Sequence, residues 1–155
     1  AFDGEFAVDP EQPDSQAACH IEIQTASIDT AVSARDDHLR GTDFFNVDKY
    51  PTMTFESTGW EQTGENTFEL TGKFTLLGTT KEITVPVRYQ GAATGRRDLR
   101  TGFTTAFTIL RSEYGMTKHT DGSIGDTVHI TLDIQGIHEA PAEDEEATEG
   151  GAEGE

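Results

Sequence analysis

Five histidines, one cysteine and a charged stretch between residues 29 and 50 are the side chains with which this 155-residue chain could do chemistry. His20-x-Glu22 puts two ligand types on one strand face, and His129 lies on the outward face of another strand. Neither an HExxH helix nor the Cys/His spacing of a zinc site accompanies them, so a surface or structural role is expected and no metal is assigned. Cys19 alternates with apolar positions, as a small core residue does, and no GxSxG elbow offers another nucleophile. His38 stands apart. It sits beside Arg35, Asp36, Asp37 and Arg40, a grouping open to two readings: an acid–base site, or the favoured one, a charge network pinning this segment to the rest of the fold. Arg96, Arg97 and Arg100 form the one basic cluster; a solvated loop is expected there, with docking of an anionic headgroup as the lesser reading. No glycine-rich phosphate loop is present, and no catalytic residue is assigned.

Charge removes further classes. Acids number 29 against 11 Lys and Arg, a formal net charge of −18, which argues against nucleic acid and anionic membrane surfaces as partners. No apolar run approaches the ~20 residues of a membrane span, so stable membrane insertion is not expected. No basic, apolar leader opens the chain; a cytoplasmic location is slightly favoured, with a periplasmic or secreted one open if the N-terminus is processed. Residues 139–155 hold eight acids and no Lys or Arg and read as a disordered acidic tail. A folded domain is expected over residues 1–138.

The elements that must position these side chains have period two. Phe68, Leu70, Gly72, Phe74 and Leu76 alternate with polar partners, as do Ile83, Val85, Val87 and Tyr89; Phe103, Thr105, Phe107 and Ile109; and Val128, Ile130, Leu132 and Ile134. Cys19, Ile21 and Ile23, then Met53, Phe55 and Ser57, and a strand from Phe2 to Val8 bring the count to seven. Turn signals at 63–66 and 77–80, a polar loop over 91–100 and a long connection over 117–126 separate them. Pro86 lacks a ladder donor and belongs at an edge or bulge. From Asp29 to Tyr50 the period breaks: a short helix is expected over Ala31–Leu39, capped by Asp29 or Thr30 and ended by Gly41, with a second turn holding Phe44 and Phe45. Seven one-faced strands imply an all-β fold, a sandwich or a barrel. The inward positions are nearly all apolar, so a hollow barrel would hold an apolar molecule, whereas a filled one would be a structural module.

The blocks Ser27–Thr30, Ala34–Arg40 and Asp43–Phe45, followed by Tyr50–Ser57, Leu70–Lys81 and Arg111–Met116, resemble the YceI-like family in order and spacing. The resemblance covers roughly residues 1–137. It implies an extended, lipocalin-like antiparallel barrel that carries or sequesters a polyisoprenoid, such as a quinone, or another long amphiphilic lipid, with no catalytic residues and no required cofactor. It also implies a lining of inward apolar residues, here Phe55, Phe68, Leu70, Phe74, Val85, Phe103, Phe107 and Ile130. Phe44 and Phe45 of the insert would lie near the mouth, and Arg35, Asp36 and His38 would tie the insert down or meet the ligand's polar head. Family members usually place an apolar strand before the segment matching Phe2–Val8. With nothing before Ala1 the barrel would keep an open seam, for which a truncated or processed chain, or a second subunit in a homodimer, would account.

Overall fold

The computed structural model describes residues 1–7, 18–94 and 98–139. Seven antiparallel strands follow one another in a single sheet in chain order: β1 (Phe2–Ala7), β2 (Ala18–Gln24), β3 (Thr52–Gly64), β4 (Thr67–Leu76), β5 (Thr79–Thr94), β6 (Asp98–Leu110) and β7 (Thr127–Glu139). The sheet curls into a nearly closed barrel in which β1 and β7 are not hydrogen-bonded to each other. Alternation places Phe68, Leu70, Phe74 and Leu76 of β4 inside and buried, and Val85 and Val87 of β5 beside them.

Strands β3, β5 and β6 run longer than their apolar periods. β3 continues from Ser57 to Gly64, leaving Glu65-Asn66 as the turn, and the polar stretch 91–100 is strand through Thr94 and again from Asp98. Register shifts explain why the periods lapse. An extra residue lies between Ser57 and Gly59 of β3 against β4, and another between Tyr89 and Gly91 of β5 against β6. Each such bulge reverses the phase of alternation. Pro86 sits where its missing N–H costs nothing: the β5–β6 ladder stops at Val87–Thr105, and the Thr105 hydroxyl donates to the Pro86 carbonyl at 2.6 Å.

The insert holds helix α1 (Ser33–Arg40), which starts two residues later than Ala31. Ala31 has φ +60°, outside the helical region, because the Asp29 carboxylate accepts from the Ala31 N–H at 2.8 Å and closes a local turn. The helix therefore begins after Val32 without a side-chain cap, and ends at Gly41 as expected. Of the basic loop and the two termini, Val8, Arg96, Arg97 and residues 140–155 lie outside the described residues; Arg100 pairs with Asp98 at 2.9 Å, and residue 139 belongs to β7.

Candidate functional site: an apolar cavity inside the barrel

Two packed layers divide the interior. One is built on Phe68, Leu70, Val85 and Val87, with Trp60, Tyr89 and Phe103 against it. The other is built on Phe74, Leu76, Ile109 and Tyr114, with Phe45, Met53 and Leu77 against it. Between and beside them lies a cavity of about 330 Å³ to which every strand contributes. Its deep wall is Leu70 and Phe74 of β4 with Val85 and Val87 of β5, all buried. Its other wall is Phe2 and Phe6, Ile21 and Ile23, and Ile130, Leu132 and Ile134 of β7. These are only partly buried, and Phe2 is 58% exposed. The cavity thus opens toward the seam between β1 and β7. There the Phe6 ring lies against Gly136, where a Cβ would collide with it, and meets Phe103 edge-on at 4.9 Å.

The wall is almost entirely hydrocarbon. Its polar residues are Glu5, Thr104, Thr105 and Cys19, together with the indole of Trp60. Both threonine hydroxyls are engaged, Thr105 on Pro86 and Thr104 as acceptor from Gln90 Nε2 at 2.9 Å. Burial pushes the Cys19 thiol up to about 11, so near neutrality it is a thiol rather than a thiolate nucleophile. Trp60 Nε1 is buried without a partner, and an unmet buried donor costs about 1–3 kcal/mol.

Of the lining expected from the sequence, Phe55, Leu70, Phe74, Val85, Phe103, Phe107 and Ile130 face the cavity. Phe68 does not, since its ring is buried in the core layer under Trp60, 4.8 Å between centroids. Nor do Phe44 and Phe45. The insert covers the filled end of the barrel: Phe45 packs on the Phe74–Tyr114 layer, and Phe44 is buried with its ring edge-on to His38 at 5.0 Å. Trp60 and Met53, by contrast, line the cavity without having been expected there. Met53 is legible as an inward position; Trp60 is hidden by the bulge that turns it inward.

The charged group of the insert stays away from the cavity. The Thr30 N–H and hydroxyl both donate to Asp36 Oδ1, and Arg35 donates from Nε to the Thr30 hydroxyl and from Nη2 to its carbonyl, each at 2.8 Å. These bonds hold the Asp36 carboxyl below its ordinary range, the Thr30 hydroxyl being the main cause. Arg40 donates to the Ala26 and Ile28 carbonyls at 3.0 and 2.6 Å. His38 is exposed, 3.9 Å from Asp43, which also lies 3.4 Å from Lys118. His20 and His129 are exposed on outward faces, and among the described residues no three His, Cys, Asp or Glu side chains converge.

At the same end, buried Arg111 donates to four backbone carbonyls: Gly125 at 2.8 Å, Met116 at 3.0 Å, Lys118 at 2.8 Å and Ile124 at 3.1 Å. It thereby fixes the connection between β6 and β7. The Asp126 carboxylate accepts from the Ser112 N–H and hydroxyl at 2.9 and 2.7 Å. The residues of the Arg111–Met116 block therefore shape the filled end and not the cavity.

Comparison with known proteins agrees with this architecture. The model of the YceI-like domain matches residues 1–136. A UPF0312 protein of Ectopseudomonas mendocina is 37% identical over 139 residues, which span 89% of this chain and 72% of the relative. A YceI protein of Campylobacter jejuni is 25% identical with a TM-score of 0.82, covering 90% of this chain and 82% of that one. A polyisoprenoid binding domain from Saccharophagus degradans shares the fold at 15% identity and a TM-score of 0.64, covering 91% and 83%.

Proposed function

The chain belongs to the YceI-like family, and on that footing we propose that it takes up one apolar chain, a polyisoprenoid or a comparable long amphiphilic lipid, inside the barrel, without catalysis. The observation that carries the reading is the cavity itself: about 330 Å³, within the ~300–1,000 Å³ of small-molecule sites, and walled almost wholly by hydrocarbon. Such a wall does one thing well. It removes methylene and methyl groups from water, at ~0.8 kcal/mol for each buried CH₂, so ten such groups give about 8 kcal/mol before the cost of ordering the chain. Among the described residues it offers no converging acid, base or cation with which to turn a substrate over. The choice of a polyisoprenoid over an acyl chain leans on the fold shared with the polyisoprenoid binding domain. Ligand contacts then fall to Phe55, Leu70, Phe74, Val85, Phe103, Phe107 and Ile130. Arg35 and Asp36 serve the insert.

Native mass spectrometry of the purified protein, followed by organic extraction, tests this. The expected result is a discrete added mass that disappears on extraction and has a polyprenyl or acyl signature. A mass equal to the bare chain, unchanged by incubation with quinones and fatty acids, would sink the reading.

A further inference from the structure

Trp60 is the chain's single tryptophan. Among the described residues its Nε1 is the one buried side-chain nitrogen or oxygen with no hydrogen-bond partner. The ring belongs to the cavity wall, packed against Phe68 at 4.8 Å and edge-on to Phe103 at 6.4 Å, with Leu70 opposite it on β4. None of these neighbours has a side-chain acceptor. The bulge between Ser57 and Gly59 is what brings this ring inward, so an irregularity of β3 places this unpaired N–H in a wall that is otherwise almost all hydrocarbon.

We infer that the ligand carries a neutral carbonyl oxygen and that the Trp60 indole N–H donates to it. The inference rests on the reading that the cavity holds an apolar chain, and adds the chemical class of the chain's polar end. A pure hydrocarbon would leave the donor unsatisfied. An oxygen acceptor entering beside the ring, between it and the Phe103 edge, would satisfy it where water does not reach, and there a hydrogen bond counts for most. Among the described residues no Lys or Arg lines the cavity and Glu5 is its one acidic neighbour, so an ionised carboxylate would meet no counter-charge there. A ketone, quinone or ester carbonyl meets both conditions.

The test compares two probes of equal chain length, tridecane and 2-tridecanone, on the full chain. With ¹⁵N labelling the single indole gives one Nε1–H resonance. The expected result is that 2-tridecanone moves this resonance downfield and slows its exchange with solvent, whereas tridecane leaves it in place. Trp60→Phe is expected to weaken 2-tridecanone about tenfold, the factor of one buried hydrogen bond, while tridecane binding stays within about twofold, a coupling read as in a double-mutant cycle. If both probes bind and the indole resonance responds to neither, the inference is overturned and the cavity reading survives. Binding of neither probe overturns both. Should Trp60→Phe fail to fold, the resonance of the unmodified chain decides alone.

Discussion

At the scale of single residues, one glycine and one tryptophan show how this interior is made. Gly72 faces inward on β4, and a Cβ there would overlap the Phe55 ring and lie 2.6 Å from the Glu56 carbonyl oxygen. The ring can turn aside, but the carbonyl belongs to the neighbouring strand and cannot. Gly72→Ala is therefore expected to cost about 2 kcal/mol, in the range of overpacked cores, seen as a lower urea midpoint at unchanged m-value. A loss below about 0.5 kcal/mol, smaller than overpacking gives, would mean that β3 and β4 separate more readily than their paired backbones suggest. Gly72 is legible as an inward position in the sequence because it occupies an apolar place in a strict alternation. Trp60 is not. Counting by twos from Phe55 puts residue 60 outside, and only the extra residue before Gly59 returns it to the interior. The alternation of the seven strands thus discloses most of the cavity wall, while the unpaired indole donor is concealed by a backbone event that no side-chain pattern announces. Phe68 is misplaced for another reason: alternation tells inside from outside, but not cavity from packed core.

At the scale of elements, the two ends of the barrel are built differently, and the polar side chains buried among the described residues, Thr25, Asp36 and Arg111, all lie at the end with the insert. Arg40, Arg35 and Asp36 fasten the segment before α1, and Arg111 and Asp126 fasten the connection before β7. The β4–β5 turn is part of the same end. Leu77 and Gly78 both have positive φ, +51° and +72°, as a two-residue primed hairpin requires. Leucine is a poor choice for that conformation, but its side chain packs on the Phe74–Tyr114 layer. In the sequence this end is visible as motif blocks whose purpose the pattern leaves open, because hydrogen bonds from arginine to backbone carbonyls depend on loop paths that have no period. These ties make the filled end acid-labile. Hydrogen bonds from Thr30 and Ser112, respectively, lower the Asp36 and Asp126 pKa values in the folded chain. The unfolded chain then binds more protons than the folded one below the ordinary carboxylate value of ~3.9. The stability from each carboxylate is whole above that value and is lost as pH falls through it toward the folded pKa. Melting temperatures taken from pH 7 down to pH 3 should accordingly fall in the unmodified chain. In Asp126→Asn the starting value should be lower and the fall shallower. An equally steep fall in that variant would assign the acid sensitivity to other carboxylates.

At the scale of the whole molecule, the opposing terms are a thin core and a large charge of one sign. The barrel gives over part of its interior to a cavity instead of to packing and leaves the β1–β7 seam without ladder bonds, so the margin of stability is small. The ion pairs among the described residues all lie at the surface, where each contributes little. Against this stands a net charge of −18, with only four lysines in the chain. Self-repulsion of that size acts over a screening length of ~30 Å at 0.01 M salt and ~3 Å at 1 M. It weighs on the compact state more than on the expanded one. Raising NaCl from 0.01 to 1 M is therefore expected to raise the melting temperature by about 3 °C, equivalent to about 1 kcal/mol for a domain of this size. The charge is unevenly placed, and this separates screening of repulsion from a general effect of salt on apolar burial. Residues 140–155 carry seven acids and no Lys or Arg, and they follow the last strand, which ends at Glu139. A chain ending at Glu139 should melt higher at low salt and gain less from added salt, the two chains converging near 1 M. If both chains instead gain equally, screening of the tail contributes nothing, and the salt effect belongs to the barrel surface or to stronger apolar burial. An unchanged melting temperature in both would show that the barrel tolerates its own charge even at low salt.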